Sequence, residues 1–497
     1  MSPSVLYKLK FKLWDFARVH PNLGKPIQYA NMLATRKFLD NHKKHMRNMG
    51  RILFSKTRYE RDITTPTQCF VLQNEPYSTE QKRGIDILLS HLRIPFRWIE
   101  KDVIDAVFEA VLTQPVIIIT LNMPWDNIQT IYTELKNKNV NIIAFGISEQ
   151  PLNKTEKIQF IPNDPAELLP YNLGLRSSLT RRFVQSLLAL SHFPIITGFL
   201  PPQIGIRIDD VTGCNAENYL PSLIDRSWTP NLGIFIDEFG CNSSSQISYF
   251  SLLVEEGRIE ISPHAFTTNK FIFFDYENGK PFSGKEFAEI WEKVLRDFDE
   301  WKIPLSPILN AHFHAFSSVG YPTLLGHNVK YNFSELSPDR IAVQPCSNYL
   351  PSGDPICTTG QAQTHGIFQI FSGDSAQDCN RSDSLYDFLM HTDSNNLIED
   401  VSQRIFKRLS LSLDTGFAAF VTTHEYLLNK LTPAQQTHIL EKVEALLSNY
   451  SLQPQKAALS EIGRACENHT NILIESINFR NDQWTVTLSG ESNGDSF

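Results

Sequence analysis

"IGIRIDDVTG", residues 204–213, is the stretch on which the fold of this 497-residue chain turns. Ile204, Ile206 and Ile208 alternate as in a strand with one buried face, and they lead straight into Asp209 and Asp210. In parallel α/β architectures the carboxyl ends of strands are where active sites form. Two adjacent carboxylates at such a place repel and need a cation or a shared proton. A single DD pair more often caps the turn that follows it, so the pair acquires meaning only from company.

Company is present three more times. "RIEISPHAF" is a short apolar strand with Pro263 and His264 immediately beyond it, and "LSPILNAHFHAF" delivers His312 and His314. "GFAAFVTTHEYLL" ends on His424 and Glu425. One histidine alone is ordinarily a satisfied structural residue. Four strand ends each releasing Asp or His suit a zinc-like ion with open coordination positions. "THGIF" with His365 and "YDFLMHTD" with Asp387 and His391 are weaker signals, read as structural or supporting. No HExxH, GxSxG or CxxC motif occurs, against zincin, serine-hydrolase and thiol-redox chemistry.

Working outward, six candidate strands alternate with helices after residue 201: "IGIRID", "LGIFID", "RIEIS", "LSPILN", "GIFQIF" and "GFAAFV". "KEFAEIWEKVLRDFDEW" and "PAQQTHILEKVEALLSNY" have amphipathic helical spacing, the second with Thr432, Pro433 and Gln435 as its start signal. The pattern predicts a barrel of parallel strands over 201–465, with an inserted loop at 344–365 and a terminal β-hairpin and tail over 466–497. Residues 62–200 also alternate: "TQCFVLQ", "FRWIE", "PVIIIT" and "NIIAFG" are strands, and "TEQKRGIDILLSHL", "DNIQTIYTELKNK" and "SLTRRFVQSLLALSH" are helices. That is a doubly wound sheet, flavodoxin-like or amidotransferase-like, with no phosphate-binding glycine motif and no obvious nucleophile. Its expected role is structural or regulatory.

Composition sets the frame. Hydrophobic residues make up 41% and charged residues 20%, so the chain can form large cores. Net charge is −8, yet residues 1–61 carry 14 Lys/Arg against 3 Asp/Glu, a net of +11 that leaves −19 for the rest. The basic arm predicts an anionic partner, a membrane surface or nucleic acid, or a cap folded onto the acidic body; the acidic body speaks against a nucleic-acid enzyme. Lysines interrupt the apolar runs of "VLYKLKFKLWDFARVH", which does not read as a signal peptide. The expected location is cytoplasmic, peripheral to a membrane through "LYKLKFKLW". Seven scattered cysteines without metal spacing predict free or buried thiols, with a disulfide among Cys346, Cys357 and Cys379 in an oxidising setting.

The succession of strand ends resembles the polysaccharide deacetylase (NodB-homology) superfamily of carbohydrate esterases. It is nearest to branches that open with an R-x-DD strand and follow a flavodoxin-like domain. The resemblance covers about residues 200–465 and implies a deformed (β/α) barrel of the deacetylase type. It implies Asp209 as general base, Asp210 and His264 as metal ligands, and His424 as general acid. Two departures stand out: Thr268 occupies the place of the family's second histidine, and the family's Arg-Pro motif is missing from "NAHFHAFSSVGYP". His312 or His314 would then complete the metal site. The resemblance implies a divalent ion, zinc foremost, and hydrolysis of an N-acetyl or other acyl group on a glycan or lipid-linked sugar. Phe266, Phe313 and Tyr321 would stack on sugar rings if not core. The competing readings are an inactive barrel used for glycan binding or assembly, and a metal-dependent glycosidase or amidase.

Overall fold

The computed structural model describes residues 69–74, 96–99, 116–138, 140–147, 157–164, 177–190, 201–275, 282–312, 318–335, 368–372, 396–416, 418–471, 473–480 and 483–489, with positions 82, 85, 89 and 94. The basic arm, His314, Phe313, His365, Asp387, His391, Cys346, Cys357 and Cys379 lie outside the described residues.

The first unit contains β1 (Cys69–Gln73), β2 (Phe96–Ile99), β3 (Val116–Leu121), α1 (Trp125–Leu135), β4 (Val140–Phe145), β5 (Ile158–Ile161) and α2 (Ser177–Ala189). Its five strands are all parallel, in the order β2-β1-β3-β4-β5. β1, β3 and β4 are buried at every residue. Near-continuous Val/Ile runs are what a parallel sheet covered on both faces requires, and an apolar cluster lies on each face.

The second unit contains β6 (Gln203–Val211), β7 (Asn231–Phe235), α3 (Ser244–Glu255), β8 (Glu260–Ala265), α4 (Gly284–Trp301), β9 (Ile308–Leu309), β10 (Tyr331–Glu335), β11 (Phe368–Ser372), α5 (Leu397–Thr415), β12 (Ala419–His424), α6 (Glu425–Leu428), α7 (Pro433–Ser448), β13 (Gln455–Lys456) and α8 (Leu459–Asn471). β14 (Leu473–Arg480) and β15 (Gln483–Ser489) follow as an antiparallel pair. β12, β6, β7 and β8 form one parallel sheet in that order, with β13 also beside β6; β11, β10 and β9 form another. The two sheets are not joined by strand pairing among the described residues. The barrel expected from six alternating strands is therefore not closed among the described residues. No described helix is long and apolar enough to cross a membrane.

Alternation divides the first of these sheets into two unlike faces. Ile204, Ile206, Ile208, Leu232, Ile234, Ile261, Ala419 and Val421 join the main apolar cluster under the helices. The other parity carries Arg207, Asp209, Asn231, Ser262, His264 and Thr422, all buried. α4 supplies much of the cover: Phe287, Trp291, Val294 and Phe298 recur at helical spacing and are buried. Ser283 and Glu286 cap its start reciprocally, and Lys302 ends it in a left-handed conformation. α7 starts on the expected Thr432–Gln435 capping box with Pro433 at its first position.

The units share one core. Cys69, Val71, Ile119 and Phe145 of the first belong to the same apolar cluster as Ile308, Tyr331, Phe420, Leu459 and Ile462 of the second, together with Phe183 and Leu187 of α2. Arg181 of α2 pairs with Asp414 of α5 at 2.8 Å. The expectation of unbonded cysteines holds for Cys69 and Cys466, which are free and buried. It fails at Cys214, which is disulfide-bonded.

Beneath the second unit, Glu444 accepts from Arg226 Nη1 (2.7 Å), Lys456 Nζ (2.6 Å) and Trp228 Nε1 (3.3 Å), tying α7 to β13. Partial burial alone would raise its pKa, but Lys456 and Arg226 hold it below the ordinary glutamate range. A depressed carboxylate contributes stability above its unfolded pKa and loses it as pH falls through the folded one. Glu444→Gln should therefore melt less steeply with acidification between about pH 5 and pH 3 than the wild type. Parallel melting profiles for the two proteins would show that the cluster contributes nothing.

Candidate metal centre

Adjacent residues of a regular strand point to opposite faces, so a straight β6 would separate Asp209 from Asp210. Two bulges remove that obstacle. Ile208 pairs with Leu232 and Val211 with Ile234, which leaves one extra residue on β6 at the two aspartates. Asp210 takes φ +55°, a left-handed conformation that a non-glycine residue adopts at a cost of about 1–3 kcal/mol. Across β7, Ile234 pairs with Pro263 and Phe235 with Ala265, so His264 is the extra residue on β8. Bulges re-aim side chains, and these two turn Asp210 and His264 toward each other. His264 thus lies within its strand, not past its end as the sequence suggested.

The third member comes from the segment after β9. His312 Nδ1 stands 2.9 Å from His264 Nε2, and Asp210 Oδ1 lies 3.4 Å from His264 Nε2 and 3.3 Å from His312 Nδ1. Asp210 Oδ1 is buried and has no hydrogen-bond partner. A tetrahedral ion with ligands at about 2.05 Å separates them by about 3.3 Å, so this triangle of two imidazoles and a carboxylate fits a zinc-like ion. Thr268 sits on the tight turn closed by Thr267 and Lys270. The position of the expected second histidine thus lies on a turn, and His312 completes the set of groups that could hold an ion.

Charge states suit the same purpose. Burial would raise the Asp210 carboxyl, but His312 and His264 hold it well below the usual range. Burial keeps the His312 ring below its ordinary pKa despite Asp210, leaving it neutral at neutral pH. Ionised carboxylate and neutral imidazole are the forms that bind a metal. His264 Nδ1 donates to the Asn310 carbonyl at 2.7 Å, which orients Nε2 toward the triangle. Phe235 and Phe271 flank His312 at ring distances of 5.3 and 5.1 Å.

Asp209 is gripped from two sides. Arg207 Nε donates to its Oδ1 at 2.7 Å, and Asn310 Nδ2 to its Oδ2 at 2.9 Å. Burial opposes ionisation, yet Arg207, then His264 and His424, bring its pKa below the ordinary range. The guanidinium is itself fully buried, and its Nη1 donates to Asn231 Oδ1 and to Ser262 Oγ at 2.6 Å. Asn231 passes the chain on to Glu260 (2.9 Å) and Ser306 (3.2 Å). An arginine was missed from the expected motif on the β9 segment, and one reaches Asp209 from β6 itself. Arg207 is the arginine of the R-x-DD strand, two residues before Asp209 and on the same face. His424 lies at the end of β12, in register with Asp209 on the neighbouring strand. Phe266 and Tyr321 are buried core residues rather than open stacking platforms.

No family model matches the chain, and no curated protein matches it in sequence. Solved structures overlap it in part. The family 4 carbohydrate esterase from Streptomyces lividans, in complex with acetate, aligns at 8% identity over 50% of this chain and 90% of its own, with a TM-score of 0.28. The chitin deacetylase from the fungal pathogen Colletotrichum lindemuthianum aligns at 8% identity over 53% and 88%, with a TM-score of 0.31. A mutant CE4-family pseudoenzyme with restored activity aligns at 12% identity over 49% and 63%, with a TM-score of 0.25. Overlaps this partial leave the chemistry to the site's own geometry.

Gly233 marks how closely this interior is filled. A Cβ there would fall on Arg207 Nη2 and Asp209 Oδ1. Gly233→Ala should lower the unfolding free energy by about 3 kcal/mol, through overpacking and a disturbed buried ion pair. Urea unfolding reads this directly, and an unchanged midpoint would show that the interior is looser than these contacts imply.

Proposed function

We propose that this chain is a metal-dependent hydrolase that removes an N-acetyl or other acyl group from a glycan or lipid-linked sugar. The observation that carries the proposal is the triangle of Asp210, His264 and His312 beside a separately held Asp209. Asp210, His264 and His312 would hold the ion. Bound there, it would supply Lewis acidity, acidifying water and drawing charge onto an acyl oxygen.

The remaining work falls to the chain's own groups. Asp209 accepts the proton of the attacking water. Each of its oxygens gives one lone pair to Arg207 or Asn310, and a carboxylate oxygen keeps a second for this task. His424, half-buried on the adjacent strand, donates the proton that the departing amine needs. Water is consumed, the C–N bond breaks, and a free amine and a carboxylic acid result. The sugar class is supported by the likeness of the strand-end motifs to the polysaccharide deacetylase superfamily. The first unit is read as a flavodoxin-like module, supported by its all-parallel strand order. The partner proposed for the basic arm at 1–61 is an anionic membrane surface.

Metal content tests the centre. The wild type should bind about one equivalent of zinc or a similar ion, and Asp210→Ala, His264→Ala and His312→Ala should each lose it. Asp209→Asn should keep the metal and lower turnover of an acetylated amino sugar by about 100-fold or more. A wild type that takes up no metal after reconstitution would end this proposal.

A further inference from the structure

Glu425 follows His424 directly and is almost wholly buried, at 4% exposure. Among the described residues no cation pairs with it. Its carboxylate is satisfied instead by the turn that leaves β6. Oε2 accepts from Thr212 N and Thr212 Oγ1, both at 2.7 Å. Oε1 accepts from Tyr219 OH at 2.9 Å and from Gly213 N at 3.1 Å. Thr212 O accepts from Gly240 N at 2.8 Å, and Gly213 O from Gln246 Nε2 at 2.5 Å. Every main-chain polar group of residues 212 and 213 is therefore engaged, the two amides by one side chain.

This segment begins two residues after Asp210. The left-handed backbone at Asp210 persists only if its surroundings over-determine it, and Gly213, at φ +76°, turns the chain again. A carboxylate cradled by consecutive backbone N–H groups binds as an anion does in a nest. Here the anion is part of the chain, and it arrives from the strand whose last residue is His424. The same contact thus fixes the exit of β6, which presents Asp210, and the exit of β12, which presents His424.

We infer that Glu425 is a positioning residue: its carboxylate, clamped on Thr212, Gly213 and Tyr219, holds the β6 bulge in the shape that presents Asp210 to a metal ion. The inference rests on the metal-centre reading above. Glu425→Gln replaces an acceptor oxygen by an NH2 group, which cannot accept from the donors it faces. Tyr219→Phe removes one donor and leaves the carboxylate in place, so it carries the test if Glu425→Gln does not fold.

Zinc affinity is measured by competition with a chromogenic chelator, beside the melting temperature of the metal-free proteins. Positioning predicts zinc affinity about 10- to 100-fold weaker in Glu425→Gln, with a smaller loss in the same direction for Tyr219→Phe. A merely structural role predicts lower melting temperatures in both variants with zinc affinity within about threefold of wild type, and that result overturns the inference. A wild type without zinc overturns the metal-centre reading itself, and this inference with it.

Discussion

A guanidinium taken wholly out of water must be met by an anion and by acceptors for its remaining protons. Arg207 imposes that demand at the middle of the β6 sheet, and much of the interior is its answer. Asp209 supplies the charge, while Asn231 and Ser262 take the protons at the far end of the fork. Gly233 supplies nothing and must supply nothing, because any side chain would occupy the guanidinium's place. An arginine so enclosed ties the position of Asp209 to the packing of three strands. The arrangement is costly to disturb at any member, because whichever partner remains is a buried polar group without its complement.

The second constraint is parity. Strand side chains alternate, so a run of residues can present only every other one to a given face. The inner face of this sheet holds Arg207 and Asp209 from β6, and Ser262 and His264 from β8. Asp210 belongs to the wrong parity, and it joins them only because one residue too many has been threaded into β6. A second irregularity, between Pro263 and Ala265, makes His264 the extra residue on the next strand but one. Function here depends on a count as much as on residue type.

That explains what the sequence could and could not disclose. The strand carrying Ile204, Ile206 and Ile208, and the capped helix at Thr432, announce themselves through period and cap chemistry. So does the parallel character of the first sheet, in its unbroken Val/Ile runs. Bulges leave no such mark: the letters "RIDDV" are the same whether or not the strand accommodates an extra residue, since the decision rests with its neighbours. His264 was placed beyond its strand for that reason. Arg207 was legible as the first letter of the R-x-DD strand, but its grip on Asp209 belongs to the polar parity interleaved with the apolar one. α5 is a plainer omission, since Leu397, Val401, Leu409 and Leu413 fall on one helical face; it lies directly after a stretch read for isolated Asp and His residues. The tight turn on which Thr268 lies is closed by hydrogen bonds between Thr267 and Lys270, a local feature that the spacing of histidines does not reveal.

The apolar cluster common to both sheets has a consequence for cooperativity. Val71 and Phe145 lie in the same continuous interior as Phe420, four residues from His424, and as Leu459 and Ile462, which stand against Gly205 at the root of β6. Surface shared in this way cannot be exposed on one side alone, so local opening of the first sheet carries a penalty that the second must also meet. The two units are therefore bound to a common stability. The first sheet, in which the sequence shows no phosphate-loop motif, would on this account melt together with the candidate metal site.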